Sequence, residues 1–119
     1  MSWPVETILD NDKLYMGIHK SWFYKDGEIM PGAFRDHEEG MSTEWSKYST
    51  PDQTRQNRRI PSDNAIMAMQ VGEVRDIPNQ EVQHTPTTRI RAHTDVSGEK
   101  TPEARLKFKR VAQMVISLD

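Results

Sequence analysis

Ala65 to Val71, AIMAMQV, is a largely apolar run held between Pro61-Ser62-Asp63-Asn64 and Gly72. Its length fits a central strand buried on both faces better than a free-standing helix, even though methionine and alanine are weak strand formers. This run is therefore the expected core. Leu14 to Tyr24, LYMGIHKSWFY, is aromatic and apolar enough for a strand, and Lys25-Asp26-Gly27 is a turn signal. Glu28 to Phe34 reads as the partner strand, with Pro31 and Gly32 demoting it to an edge or bulged position. Met41 to Tyr48 is a third candidate, with Met41 and Trp45 as its buried members, and Glu73 to Ile77 extends the central run or adds a turn before Pro78-Asn79.

Two helices are marked by their first residues. Thr50-Pro51-Asp52-Gln53 supplies a cap, a proline at the first helical position, an acid at the positive end of the dipole and a capping-box glutamine. That helix runs to about Arg59 and is polar enough to lie on the surface. Thr101-Pro102-Glu103 repeats the device ahead of an amphipathic helix whose stripe is Ala104, Phe108, Val111, Ala112 and Val115. Arg105, Lys107, Lys109 and Arg110 cover much of its other side, the usual make-up of a solvated face. The fold class expected is α+β: a small mixed sheet, one capped surface helix and one C-terminal amphipathic helix, in a single domain over 14–119 preceded by an arm over 1–13.

Composition limits how large the core can be. Four Leu, eight Ile, seven Val and three Phe make 22 of 119 residues, just under the level where lack of a core becomes a concern. A net charge of -2, with seven Met and three Trp adding apolar volume, argues against disorder. A thin core completed by a protein partner or a second copy is the expectation. The acids concentrate in residues 1–52 and the bases in 53–119, but a mildly acidic total argues against a dedicated nucleic-acid binder. Absence of cysteine excludes disulfides, thiolate catalysis and cysteine-ligated zinc. With no apolar run of membrane length and acids near the N-terminus, the expected location is the cytoplasm, with no membrane association.

Candidate chemistry gathers in Glu81 to Lys100, EVQHTPTTRIRAHTDVSGEK. Val82, and Ile90 with Val96, mark two short extended runs, broken by Pro86 and closed by Ser97-Gly98. A hairpin centred between Thr88 and Arg89 would set His84 opposite His93 on one face, with Asp95 two residues along on the same face. Two imidazoles and a carboxylate could then bind a metal through His84, His93 and Asp95. Alternatively, His84 and His93 would serve as catalytic acid and base while Arg89 and Arg91 hold a phosphate-bearing substrate. Ordinary hydrogen-bonded histidines are the simpler reading of both. His19 is expected to be structural, and His37 among Asp36, Glu38 and Glu39 to sit in a solvated loop.

Leu14-Tyr15, Ile18-His19, Trp22, Asp26-Gly27, Ala33-Phe34-Arg35, Met41-Ser42, Thr50-Pro51, Val71-Gly72, His84, Ala92-His93 and Gly98 occur in that order. Together they resemble a family of small uncharacterised bacterial proteins with no assigned activity, over roughly residues 14 to 110. The resemblance implies a compact bacterial domain and no particular chemistry or cofactor. The function expected is a binding or assembly module, the small partner in a multi-protein system, since partner surfaces need no motif. The alternative is a small metal-dependent or phosphate-directed enzyme using His84 and His93.

Overall fold

The computed structural model describes residues 3–36 and 40–118. Six strands form one sheet: β1 (Lys13–His19), β2 (Met41–Trp45), β3 (Asn64–Gln70), β4 (Glu81–His84), β5 (His93–Ser97) and β6 (Gln113–Ile116), in the order β4-β5-β2-β1-β3-β6. Three α-helices accompany them, α1 (Pro51–Gln56), α2 (Val71–Arg75) and α3 (Pro102–Val111). The architecture is α+β, and every strand pair is antiparallel where the sequence suggested a mixed sheet. No helix among the described residues is long and apolar enough to cross a membrane.

The apolar run organises the fold as its composition demands. β3 is buried at every position but its last, lying between β1 and β6 with seven residue pairs to β1. Alternation along β1 sends Leu14, Met16 and Ile18 to one face, where they are buried, and Tyr15, Gly17 and His19 to the other. The first face holds the main apolar core. Phe34 and Phe108 stack there at 5.6 Å and 10°, tying α3 to the short 3-10 turn Pro31–Ala33. Each of these fully buried rings contributes about 1.5–3 kcal/mol.

The second face, where buried Ile66 and Ala68 of β3 lie beside polar groups, packs under α1. Thr50 and Gln53 form the expected capping box, so the helix starts as its sequence directs. It ends at Gln56, sooner than expected. Glu44 of β2 anchors it: this buried carboxylate accepts hydrogen bonds from Ser49 Oγ (3.0 Å), Thr54 Oγ1 (3.1 Å) and Asn57 Nδ2 (3.0 Å).

Three elements differ from the sequence reading. The strand over Glu28 to Phe34 reduces to one bridge, Phe23 with Ile29, before Pro31 starts the 3-10 turn. Leu14 to Tyr24 is a strand only to His19, whose Nδ1 accepts the Ser21 N–H and caps a turn over Lys20–Trp22. The amphipathic helix stops at Val111, and Ala112 takes an extended conformation (φ -75°, ψ 131°) that leads into β6, so Val115 belongs to a strand. At the end of β5 Gly98 adopts φ +129°, and a Cβ there would lie 1.8 Å from the Asn79 carbonyl oxygen. No other residue type fits that crossing.

Candidate functional site

The β4–β5 register decides what the two histidines can do together. His84 pairs with Thr94, and Thr85 N–H donates to the His93 carbonyl at 3.0 Å, so the ladder runs one residue away from the register that would place His84 opposite His93. A shift of one residue reverses the face of every side chain on a strand. His84 therefore points to the core face, while His93 and Asp95 lie on the polar face. The metal set His84, His93 and Asp95 and the acid–base pair of His84 with His93 are both corrected by this register. Among the described residues no three His, Asp or Glu side chains are grouped to hold a metal.

His84 is a structural residue. It is 1% exposed, its Nδ1 accepts the Glu6 backbone N–H at 3.0 Å, and its Nε2 lies 2.7 Å from the Arg91 carbonyl. These partners require a neutral ring protonated at Nε2, with neither nitrogen left for substrate. Trp45 meets the ring edge-on at 5.1 Å and Tyr48 stacks at 6.3 Å. The contact fastens the N-terminal arm, residues 3–12, which has neither helix nor strand, buries Ile8 and turns at Asp10-Asn11.

Glu6 completes the attachment. Its carboxylate accepts from Lys47 Nζ at 2.6 Å and Tyr48 OH at 2.5 Å, and Arg91 Nη2 stands 3.7 Å away. The Lys47 hydrogen bond, then that of Tyr48, holds the Glu6 carboxyl below the usual carboxylate range, and the Glu6 bond in turn raises Lys47. The Arg91 guanidinium lies 4.4 Å from the Trp3 ring centre and 3.9 Å from that of Tyr48. Arg91 thus secures the arm. Arg89 sits exposed in the β4–β5 loop, with no ion pair or hydrogen bond among the described residues.

On the polar face His93 Nδ1 is 3.0 Å from both the Thr85 hydroxyl and the Thr85 carbonyl. Because the Thr85 hydroxyl donates to Asp95 at 2.9 Å, the ring proton sits on Nδ1 and Nε2 faces the Ser42 hydroxyl at 3.4 Å. Asp95 Oδ1 lies 3.9 Å from Nε2. The arrangement orders two strand ends and leaves the imidazole Nε2 beside one hydroxyl. His37, with Glu38 and Glu39, lies outside the described residues.

Two features escaped the sequence reading. β6 ends one side of the sheet, with Met114 and Val115 each 46% exposed and no strand on its outer edge among the described residues. Near the middle of the sheet, β1 and β2 pair at only two positions. The glycine within LYMGIHK was the available signal for the second, since an isolated strand glycine marks a bulge or a close approach. Comparison with models of protein families, with curated proteins and with solved structures found no match.

Proposed function

We propose that this chain is an assembly module that joins a second copy of itself edge to edge through β6. The observation that supports this is the open, apolar outer edge of that strand. Gln113 to Ile116 contains neither charge nor proline, the devices with which sheet edges are ordinarily protected from pairing. The opposite edge has such protection: β4 carries exposed Glu81, is bounded by Pro78 and Pro86, and ends in buried His84.

The sheet is antiparallel throughout, and an antiparallel β6–β6 pair extends the same hydrogen-bond pattern across a two-fold axis. Each copy then offers the other the same backbone groups and the same Met114 and Val115 side chains. A core built from few aliphatic residues gains apolar cover in this way without a larger chain.

Light scattering across a dilution series tests the reading. The wild type is expected at twice the 13.8 kDa chain mass, and Val115→Lys at the chain mass with an unchanged circular dichroism spectrum. A wild type monomeric at every concentration would sink the proposal, and so would a dimer that Val115→Lys leaves intact.

A further inference from the structure

A second opening lies within the sheet. β1 and β2 pair only at Leu14–Trp45 and Tyr15–Glu44, while β1 pairs with β3 at seven positions and β2 with β5 at four. Beyond Tyr15 the two strands part, and a cleft of ≈ 370 Å³ opens between them, lined by Gly17, His19, Trp22, Arg35, Ser42 and Arg58 among others. That volume falls within the range of about 300–1,000 Å³ usual for small-ligand sites.

Backbone donors face into it. Lys13 uses its C=O and N–H toward Ser46 at 2.9 and 3.2 Å, on the β2 side. By alternation Gly17 turns its backbone groups the same way, where no strand lies opposite. Trp45 N–H bonds Ala92 on the β5 side at 2.8 Å, so the backbone groups of Ser42 turn toward the cleft. Amide groups in the middle of a sheet call for partners.

Two positive charges line the same cleft. The Arg58 side chain has no ion pair or hydrogen bond among the described residues, and its stem crosses Gly17 so closely that a Cβ there would lie 2.8 Å from Arg58 Cδ. Among the described residues the Arg35 guanidinium lies over the Trp22 ring, 5.1 Å from its centre. Among the described residues the nearby carboxylates are already engaged: Glu44 with Ser49, Thr54 and Asn57, Asp95 with Thr85, and Asp63 with Lys20. Guanidinium groups, amide N–H donors and the Ser42 hydroxyl are the groups that bind a phosphate oxyanion. Trp22 offers no platform for a nucleobase, because Arg35 covers its ring and a Cβ on Gly32 would lie 3.1 Å from it.

We propose that the β1–β2 cleft binds a phosphate group, either as free phosphate or as the phosphoryl end of a small ester, between Arg58, Arg35 and the amides of Gly17 and Ser42. Calorimetry and amide NMR with two probes, inorganic phosphate and glycerol 3-phosphate, test this on the full chain. Saturable binding that moves the Gly17 and Ser42 amides is expected. Tighter binding of the ester assigns the site to a phosphorylated small molecule, and tighter binding of inorganic phosphate assigns it to the free ion. Arg58→Gln should weaken either by about ten- to a hundredfold, whereas Lys107→Gln on α3 should leave it unchanged. No saturable binding of either probe, amide shifts confined to α3, or undiminished affinity in Arg58→Gln would each overturn the proposal.

Discussion

Lys100 shows how much one side chain can hold in place. Its ammonium is buried, with only 2% of the side chain exposed, and donates to Asp36, to the Val96 carbonyl at 3.0 Å and to the Gly98 carbonyl at 3.2 Å. It also lies 5.7 Å from the Phe108 ring centre, so the β5 turn, the segment after Phe34 and α3 all meet at one nitrogen. Burial pushes its pKa down, with Asp36 acting in the opposite sense. An unfolded lysine then binds its proton more tightly than the folded one, and the contribution of this group to stability rises with pH between the lowered value and the ordinary one. Lys100→Met would leave the Asp36 carboxylate and two carbonyls without their donor. The expected loss is about 3 kcal/mol, seen as a lower urea midpoint at unchanged slope; a loss below about 1 kcal/mol would mean that water replaces the ammonium without penalty.

At the scale of elements, α1 is too short to persist alone, and its place depends on Glu44. Glu44→Ala removes the acceptor of Ser49, Thr54 and Asn57. Amide exchange over Asp52 to Gln56 should accelerate well beyond that of β3, with a global loss of about 2–4 kcal/mol; uniform exchange across both elements would show that the helix is held by something else. The start of this helix was legible because a capping box is chemistry within four consecutive residues. Thr101 was legible for the same reason, its hydroxyl accepting the Ala104 N–H at 3.1 Å. β6 was hidden because Val115 keeps the helical spacing of Ala104, Phe108 and Val111, and only the vacant edge of β3 decides that the chain leaves the helix at Ala112. The strands around Val82 and Val96 could be read from their apolar positions, but their register could not. It depends on the loop between them, where Thr87 and Ile90 bond each other at 2.9 and 3.0 Å, and one residue of difference separated His84 from His93. Gly17 carried a trace of the cleft, whereas the approach of Arg58 depends on where α1 ends.

Across the whole molecule, the arm is the part most exposed to solution conditions. The Glu6 carboxyl is held below its usual range by Lys47 and Tyr48, so its contribution is fully present above that range and is lost as the pH falls through the lowered folded value. Lys47 runs the other way: its contribution is present below the ordinary lysine range and fades as the pH rises through the raised value. Acidification past the carboxylate range should release residues 3–12 before the sheet melts, read as loss of protection of the Glu6 amide that donates to His84. Glu6→Gln should show the same loss of protection at neutral pH; full protection in that variant would place the arm's hold elsewhere. Release would also free Arg91 from Trp3, since both sit on the same latch.

The narrow contact between β1 and β2 divides the sheet into β4-β5-β2 and β1-β3-β6, joined directly by two residue pairs. Sequence order, however, runs from β1 across to β2, back to β3, across again to β4 and β5, and back once more to β6. The covalent chain laces the two halves together even where their hydrogen bonds do not. Neither half is a continuous segment that could fold or melt by itself, so a sheet split along its middle still gains and loses its structure as one cooperative unit.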